Sequence, residues 1–236
     1  MRPFLTANWR YLAMLNFCVD PKIVAPLAPP GTEIDFENGE TFLSVVGFLF
    51  LDTRLLGLPI PLHRDFEEVN LRFYVRKKSG DTWRCGVVFV RELVPRRAIA
   101  TVARVFYGEN YVAVPMKHEI DHADSKLSVR YSWRRGRKWE SLKMSATGEA
   151  QTIPAGSHAE FITEHYWGYS CFRGGCSEYR VEHSRWKIWN TEHFEFSADV
   201  AALYGEQFVE PLSAAPRSVF IADGSAIQVL LREQLA

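Results

Sequence analysis

Short runs of alternating or wholly apolar residues, each closed by a glycine, proline, asparagine or aspartate turn signal, follow one another along most of this chain. A period of two marks a strand, and many short strands bury their apolar faces only by packing sheets together or curling one sheet round. Such runs cover Asn8 to Phe17, Thr41 to Leu51, Val69 to Arg76, Trp83 to Leu93 and the pair Leu127 to Arg134 and Trp139 to Ala146. Strands resume over Ser177 to Trp189, Ser218 to Ala222 and Ala226 to Arg232. Asn38-Gly39 predicts a hairpin between Glu33–Glu37 and Thr41–Leu51, because both residues tolerate positive φ. Asp20-Pro21 announces a short helix over Lys22 to Leu27, and Ser157-His158-Ala159-Glu160 a second one to about Glu164 or Tyr166. Asp199 to Tyr204 reads as a further helical turn, and Ile99 to Tyr107 fits strand or helix. The expected fold class is mainly β with a few short helices, a sandwich or barrel, in one domain over residues 1–236.

Composition narrows the partners. A hydrophobic fraction of 47% with 14% aromatic residues supplies a sizeable core. Basic and acidic residues balance at 28 each, so no global field draws in nucleic acid or an anionic membrane. The basic run Arg134-Arg135-Gly136-Arg137-Lys138 reads as a solvated hairpin tip between two strands. The first residues lack the apolar core of a signal peptide, and no apolar run approaches the roughly 20 residues of a membrane helix. The expected location is cytoplasmic, with neither nucleic acid nor membrane as partner; a homo-oligomer stays open.

Four cysteines are too few for a disulfide scaffold in a chain of this length. Cys171 and Cys176 bracket Phe-Arg-Gly-Gly, which reads as a hairpin turn rather than a zinc site recruiting His165 or His183. His118 and His122, four apart with Asp121 and Asp124 nearby, would share a helical face as metal ligands, but Asp121 to Ser125 reads instead as a loop before the next strand. Tyr166, Trp167 and Tyr169 read as core or interface aromatics. Neither a nucleophile-elbow motif nor a phosphate-cradling glycine loop occurs. No metal and no cofactor are expected.

The segment Glu68 to Val75 alternates cleanly. Glu68, Asn70, Arg72 and Tyr74 point one way, and Val69, Leu71, Phe73 and Val75 the other. The polar face is either a solvated outer face or the lining of a barrel lumen that holds a ligand. Glu68 and Arg72, four apart, either present a carboxylate and a guanidinium to that ligand or neutralise each other.

Several segments carry a resemblance. They are Asn16-Phe17-x-Val19-Asp20, Gly47-Phe48-Leu49-Phe50, Phe66-x-Glu68-Val69-Asn70-Leu71-Arg72-x-Tyr74-Val75 and Gly86-Val87-Val88-Phe89. His183-Ser184-Arg185-Trp186 and Ser218-Val219-Phe220-x-Ala222-x-Gly224 complete the set. Together they resemble the YqjF-like uncharacterised bacterial family of the acetoacetate decarboxylase-like superfamily, along nearly the whole chain. The resemblance implies a closed antiparallel barrel with a central cavity, and a polar face turned inward.

In acetoacetate decarboxylases a Tyr-x-Glu segment supplies a cavity carboxylate, and Phe66-Glu67-Glu68 occupies its place. A Gly-Arg-Glu segment, matched by Ala103-Arg104-Val105, precedes the Pro-Lys-Lys whose lysine forms a Schiff base with the keto acid. Asn110-Tyr111-Val112 falls where that lysine pair belongs, and tyrosine forms no imine. A slipped alignment would offer Lys117 instead, but its neighbours Glu119 and Asp121 raise a lysine pKa rather than lower it.

The expected site is therefore a cavity with Glu68 as acid/base group and Tyr111 as hydrogen-bond donor at the lysine position. Asn70, Arg72, Arg104 and His183 are its expected ligand-binding residues, and the ligand is a small polar molecule with a carboxylate or carbonyl group. Classical acetoacetate decarboxylation is not expected. The alternative is a non-catalytic barrel, structural or oligomer-forming, with Glu68 and Arg72 paired.

Overall fold

The computed structural model describes residues 3–59, 63–98, 100–101, 108–172, 174–191, 193–231 and 233–235. Four long strands open the chain: β1 (Leu5–Val19), β2 (Thr41–Leu55), β3 (Phe66–Ser79) and β4 (Thr82–Val94). Next come β5 (Tyr111–Ala113), β6 (Met116–Ala123), β7 (Lys126–Arg135) and β8 (Lys138–Thr147). The remaining main strands are β9 (Trp167–Phe172), β10 (Gly175–His183), β11 (Lys187–Asn190), β12 (His193–Ser197), β13 (Ser218–Ala222) and β14 (Ala226–Val229). Helices are short: α1 (Pro21–Val24), α2 (His158–Thr163), α3 (Val200–Tyr204) and α4 (Val209–Ser213). The caps of α1 and α2 are those the sequence announces. Asp20 accepts from the Lys22 amide at 2.9 Å and Ser157 Oγ from the Glu160 amide at 3.3 Å, each satisfying a first-turn donor. Among the described residues no helix is long and apolar enough to cross a membrane.

Strand pairing runs from β1 to β2, β3 and β4, then to β9, β10 and β14, and β14 pairs with β1 again. The path of hydrogen bonds thus returns to its start. The resemblance implies a wholly antiparallel barrel, and this needs correction: β9 and β5 both lie parallel to β4. A second sheet, in the order β12-β8-β7-β6, covers the outer face of this ring. Val45, Leu71 and Phe73 meet Tyr131, Trp133, Leu142 and Met144 there in one buried cluster. Gly47 allows the close approach, since a Cβ at that position would come 2.7 Å from Tyr131 Cδ2. Both faces of β2 and β3 are therefore buried, which explains their lack of a solvated face.

Several expectations need correction. Asn38 and Gly39 do take φ of 52° and 84°, but only one bridge, Glu37 to Glu40, flanks the turn. The preceding strand is Glu33–Ile34, and it pairs with Arg76 and Val75 of β3 instead of β2. Asp121 to Ala123 is not loop but the end of β6, where pairing with β7 overrides its polar composition. The expected strand from Ser177 to Trp189 breaks into β10 and β11. Residues 97–98 and 100–101 are helical, while residues 99 and 102–107, where strand or helix was expected, lie outside the described residues.

Candidate ligand cavity

A cavity of about 210 Å³ lies inside the ring of paired strands. Phe66, Glu68, Asn70 and Arg72 face it from β3, as the alternation indicates. Tyr74, next in that series, is buried outside the lining, its hydroxyl 2.6 Å from Ser44 Oγ. On the opposite face Glu67 Oε1 lies 2.6 Å from His118 Nδ1. Facing β3 across the ladder, Val87, Phe89 and Glu92 of β4 also line the cavity. The odd-to-even switch between Phe89 and Glu92 comes from a bulge. Leu71 opposes Arg91 while Arg72 opposes Phe89, so Val90 is extra. Asn110 Nδ2 donates to the Val90 carbonyl at 2.8 Å, and the Glu92 amide donates to the Asn110 carbonyl at 3.1 Å. These bonds dock β5 beside the bulge, bringing Glu109 and Tyr111 to the same cavity.

Three buried carboxyls thus share one space, each exposed 5% or less. Glu68 accepts from Asn70 Nδ2 at 2.9 Å and, on its other oxygen, from the Tyr111 hydroxyl at 2.9 Å. Glu109 accepts from the Tyr179 hydroxyl at 3.0 Å. Glu92 meets Tyr111 as well, and its Oε2 has no partner among the described residues. Burial pushes Glu68 up to about 7, against the opposing pull of Asn70, Tyr111 and the Arg72 charge. Burial, with the Glu68 charge adding to it, pushes Glu109 up to about 8. Glu92 stands well above the carboxylate range through burial and the Glu109 and Glu68 charges. Like charges this close do not all ionise, so the group titrates as a unit. Glu68, with two donors aimed at it, best holds the negative charge. The Tyr111 proton is held, since burial and the Glu68 and Glu92 charges push its pKa well up.

Arg72 makes no ion pair with Glu68 within 4.0 Å; its Nη2 donates to the Ile162 carbonyl at 3.2 Å. Its buried Nε has no partner among the described residues. His183 also lines the cavity, with its ring stacked on Trp186 at 4.2 Å and Nδ1 2.9 Å from the Ser184 carbonyl. Burial pushes its pKa down. Glu68, Asn70, Arg72, Tyr111 and His183 therefore meet at one cavity. Arg104 lies outside the described residues. Lys117 does not join them: it stands exposed on β6, 3.9 Å from Glu119 and 5.0 Å from the Trp139 ring.

Sequence reasoning passed over Glu92 and Glu109. Unbroken alternation from Val87 and Phe89 would point Glu92 outward, and only the bulge at Val90 turns it inward, while Glu109 precedes a strand of three residues with no period to read. The hairpin read between Cys171 and Cys176 is present. Cys171 and Cys176 face each other across the β9–β10 hairpin. His165 lies instead beside Asp35, and Asp35, Cys85 and His165 form the set able to meet at one metal ion among the described residues.

The profile of the DUF2071 family, described as an uncharacterized conserved protein, matches residues 6–226. The chain is 26% identical over 191 residues to the uncharacterized protein YqjF of Bacillus subtilis (strain 168), covering 78% of this chain and 75% of that one. Acetoacetate decarboxylase from Legionella pneumophila superposes with a TM-score of 0.67 at 13% identity, over 99% of this chain and 87% of that one. An acetoacetate decarboxylase-like enzyme from Sphingomonas wittichii RW1 gives 0.66 at 15% identity, over 100% and 94%. The enduracididine biosynthesis enzyme MppR, complexed with pyruvate, gives 0.64 at 14% identity, over 100% and 92%. At these identities the structural likeness speaks to the fold alone, while the sequence match reaches nearly end to end. This chain belongs to the DUF2071 family and carries the fold of the acetoacetate decarboxylase-like enzymes.

Proposed function

We propose that the ring of paired strands is a closed barrel whose cavity binds a small polar molecule bearing a carboxylate or carbonyl group. The observation that carries this reading is the state of Glu68. It is buried at the cavity wall and clasped by Asn70 and Tyr111 rather than by Arg72. Arg72 keeps a buried donor free for an anionic or carbonyl oxygen, which planar guanidinium donors suit. Pyruvate, the molecule complexed with MppR, has this chemistry.

In this reading Arg72 anchors the ligand, aided by Asn70, His183 and Arg104. Glu68, poised to exchange a proton near neutral pH, is the acid/base group. When Glu68 takes up a proton it releases the Tyr111 hydroxyl, which then donates to charge that develops on a ligand oxygen. With tyrosine in place of the lysine pair and Lys117 outside the cavity, catalysis through a protein imine is not part of the proposal. The clasp on Glu68 favours this reading over a purely structural barrel.

A thermal-shift screen of 2-oxo, 3-oxo and hydroxy acids tests it. A ligand at about 100 times its Kd adds about 2.7 kcal/mol. At about 2–4 °C per kcal/mol for a chain of this size, the melting point should rise by roughly 5–10 °C. The shift should vanish in Arg72→Met. Absence of any stabilising acid, or a shift that survives Arg72→Met, would sink the proposal.

A further inference from the structure

We propose a second site, independent of the cavity ligand: Asp35, Cys85 and His165 bind a divalent transition metal of the zinc class. Three separate elements bring these side chains together. Asp35 follows the short strand Glu33–Ile34 and is fixed by its amide bond to the Tyr74 carbonyl at 3.0 Å. Cys85 lies on β4 opposite Arg76 of β3. His165 comes just after α2, clamped between the rings of Phe161 and Tyr74 at 4.8 and 4.9 Å. Side-chain exposure is 9% at Asp35 and 4% at His165.

The imidazole geometry points to a cation. His165 Nδ1 lies 2.6 Å from the Phe161 carbonyl, which only accepts, so Nδ1 carries its proton. Nε2 then faces Asp35 Oδ2 at 3.1 Å. Two lone pairs do not meet at that distance, so a proton or a metal ion lies between them. A ring that donates its other N–H to a backbone carbonyl is the usual arrangement of a metal-bound histidine. Asp35 Oδ1 is already occupied by the Phe36 amide at 3.1 Å and, more distantly, Arg76 Nη1 at 4.0 Å. Oδ2, the oxygen beside His165, would take the ion, and the Cys85 thiol already hydrogen-bonds to Asp35.

The donor set selects the metal. Imidazole nitrogen and thiolate sulfur favour zinc over magnesium or calcium. A carboxylate and a thiolate bring two negative charges, matching the dication, while Arg76 stays on the far oxygen, with its head also bonded to Glu33 and over the Trp83 ring. The three ligand atoms lie within 4.8 Å of one another. Bonds of about 2.0–2.3 Å to zinc need donor separations of roughly 3.3–3.8 Å, so closing the site takes about 1 Å of movement. Entry of the ion displaces the thiol proton and any proton on Nε2. His165 also lines the ligand cavity, so the ion would sit in its wall, with one tetrahedral position beyond these three donors.

The test loads the full chain with zinc, removes excess by gel filtration, and counts bound metal by native mass spectrometry. One zinc per chain is expected for wild type and for Cys171→Ser. Retention should fall at least about tenfold in Cys85→Ser and His165→Gln, the scale of losing a group that supports a metal. Cobalt on the wild type gives a second readout that needs no variant to fold: a thiolate-to-metal charge-transfer band, absent in Cys85→Ser. No retained zinc, no thiolate band on wild-type cobalt protein, or metal binding untouched by Cys85→Ser would each overturn the site.

Discussion

Glu68 is costly to bury and is kept. A carboxyl whose pKa rises from 4.5 unfolded to about 7 folded binds more protons folded than unfolded between those values. Stability from this group is thus fully present below about 4.5 and is lost as pH rises through about 7. The difference corresponds to roughly 3 kcal/mol. In urea unfolding at a series of pH values, wild type should lose stability over this window relative to Glu68→Gln. Parallel curves for the two proteins would show that the folded chain leaves Glu68 unshifted. His118, raised by its bond to Glu67, loses stability in the same direction, which is why the difference between the two curves is the quantity to read. The residues of this site were unevenly legible. Alternation alone put Glu68, Asn70 and Arg72 on one face, because β3 has no bulge within that stretch. Their partner Glu92 was hidden by one inserted residue on the neighbouring strand.

At the scale of elements, the seam between β4 and β9 joins the first four strands to the later ones. It rests on short parallel pairing at Trp167 and Gly168 with Gly86 and Val87. Gly86 has no room for a side chain: a Cβ there would come 2.5 Å from the Trp167 carbonyl oxygen. Gly86→Ala should therefore cost about 1–3 kcal/mol in urea unfolding, as overpacking does. A loss within about 0.5 kcal/mol, the range of an ordinary surface change, would mean the seam is looser than described. Strand existence and helix caps followed from local chemistry, since period, Asn-Gly and Ser-x-x-Glu act over a few residues. Partner choice did not follow. Glu33–Ile34 pairs with β3 rather than across its own turn, and β13 and β14, adjacent in sequence, both pair with β1 instead of each other. Nothing in the local sequence encodes which of several apolar strands lies alongside.

For the molecule as a whole, the returning path of strand pairs encloses the cavity, and the outer four-stranded sheet packs on one of its walls. That enclosure raises the pKa of Glu68, Glu92 and Glu109 together and keeps the Arg72 donor free of solvent. The proposed role of Glu68 thus turns on a physical property, the raised pKa of a buried carboxyl, which is open to direct measurement. Carbon-13 NMR of glutamate carboxyls across a pH series reports it. One resonance should titrate near pH 7 and disappear in Glu68→Gln. If the resonance lost in Glu68→Gln instead titrates in the ordinary range near 4.3, the cavity is wet and Glu68 is not its acid/base group.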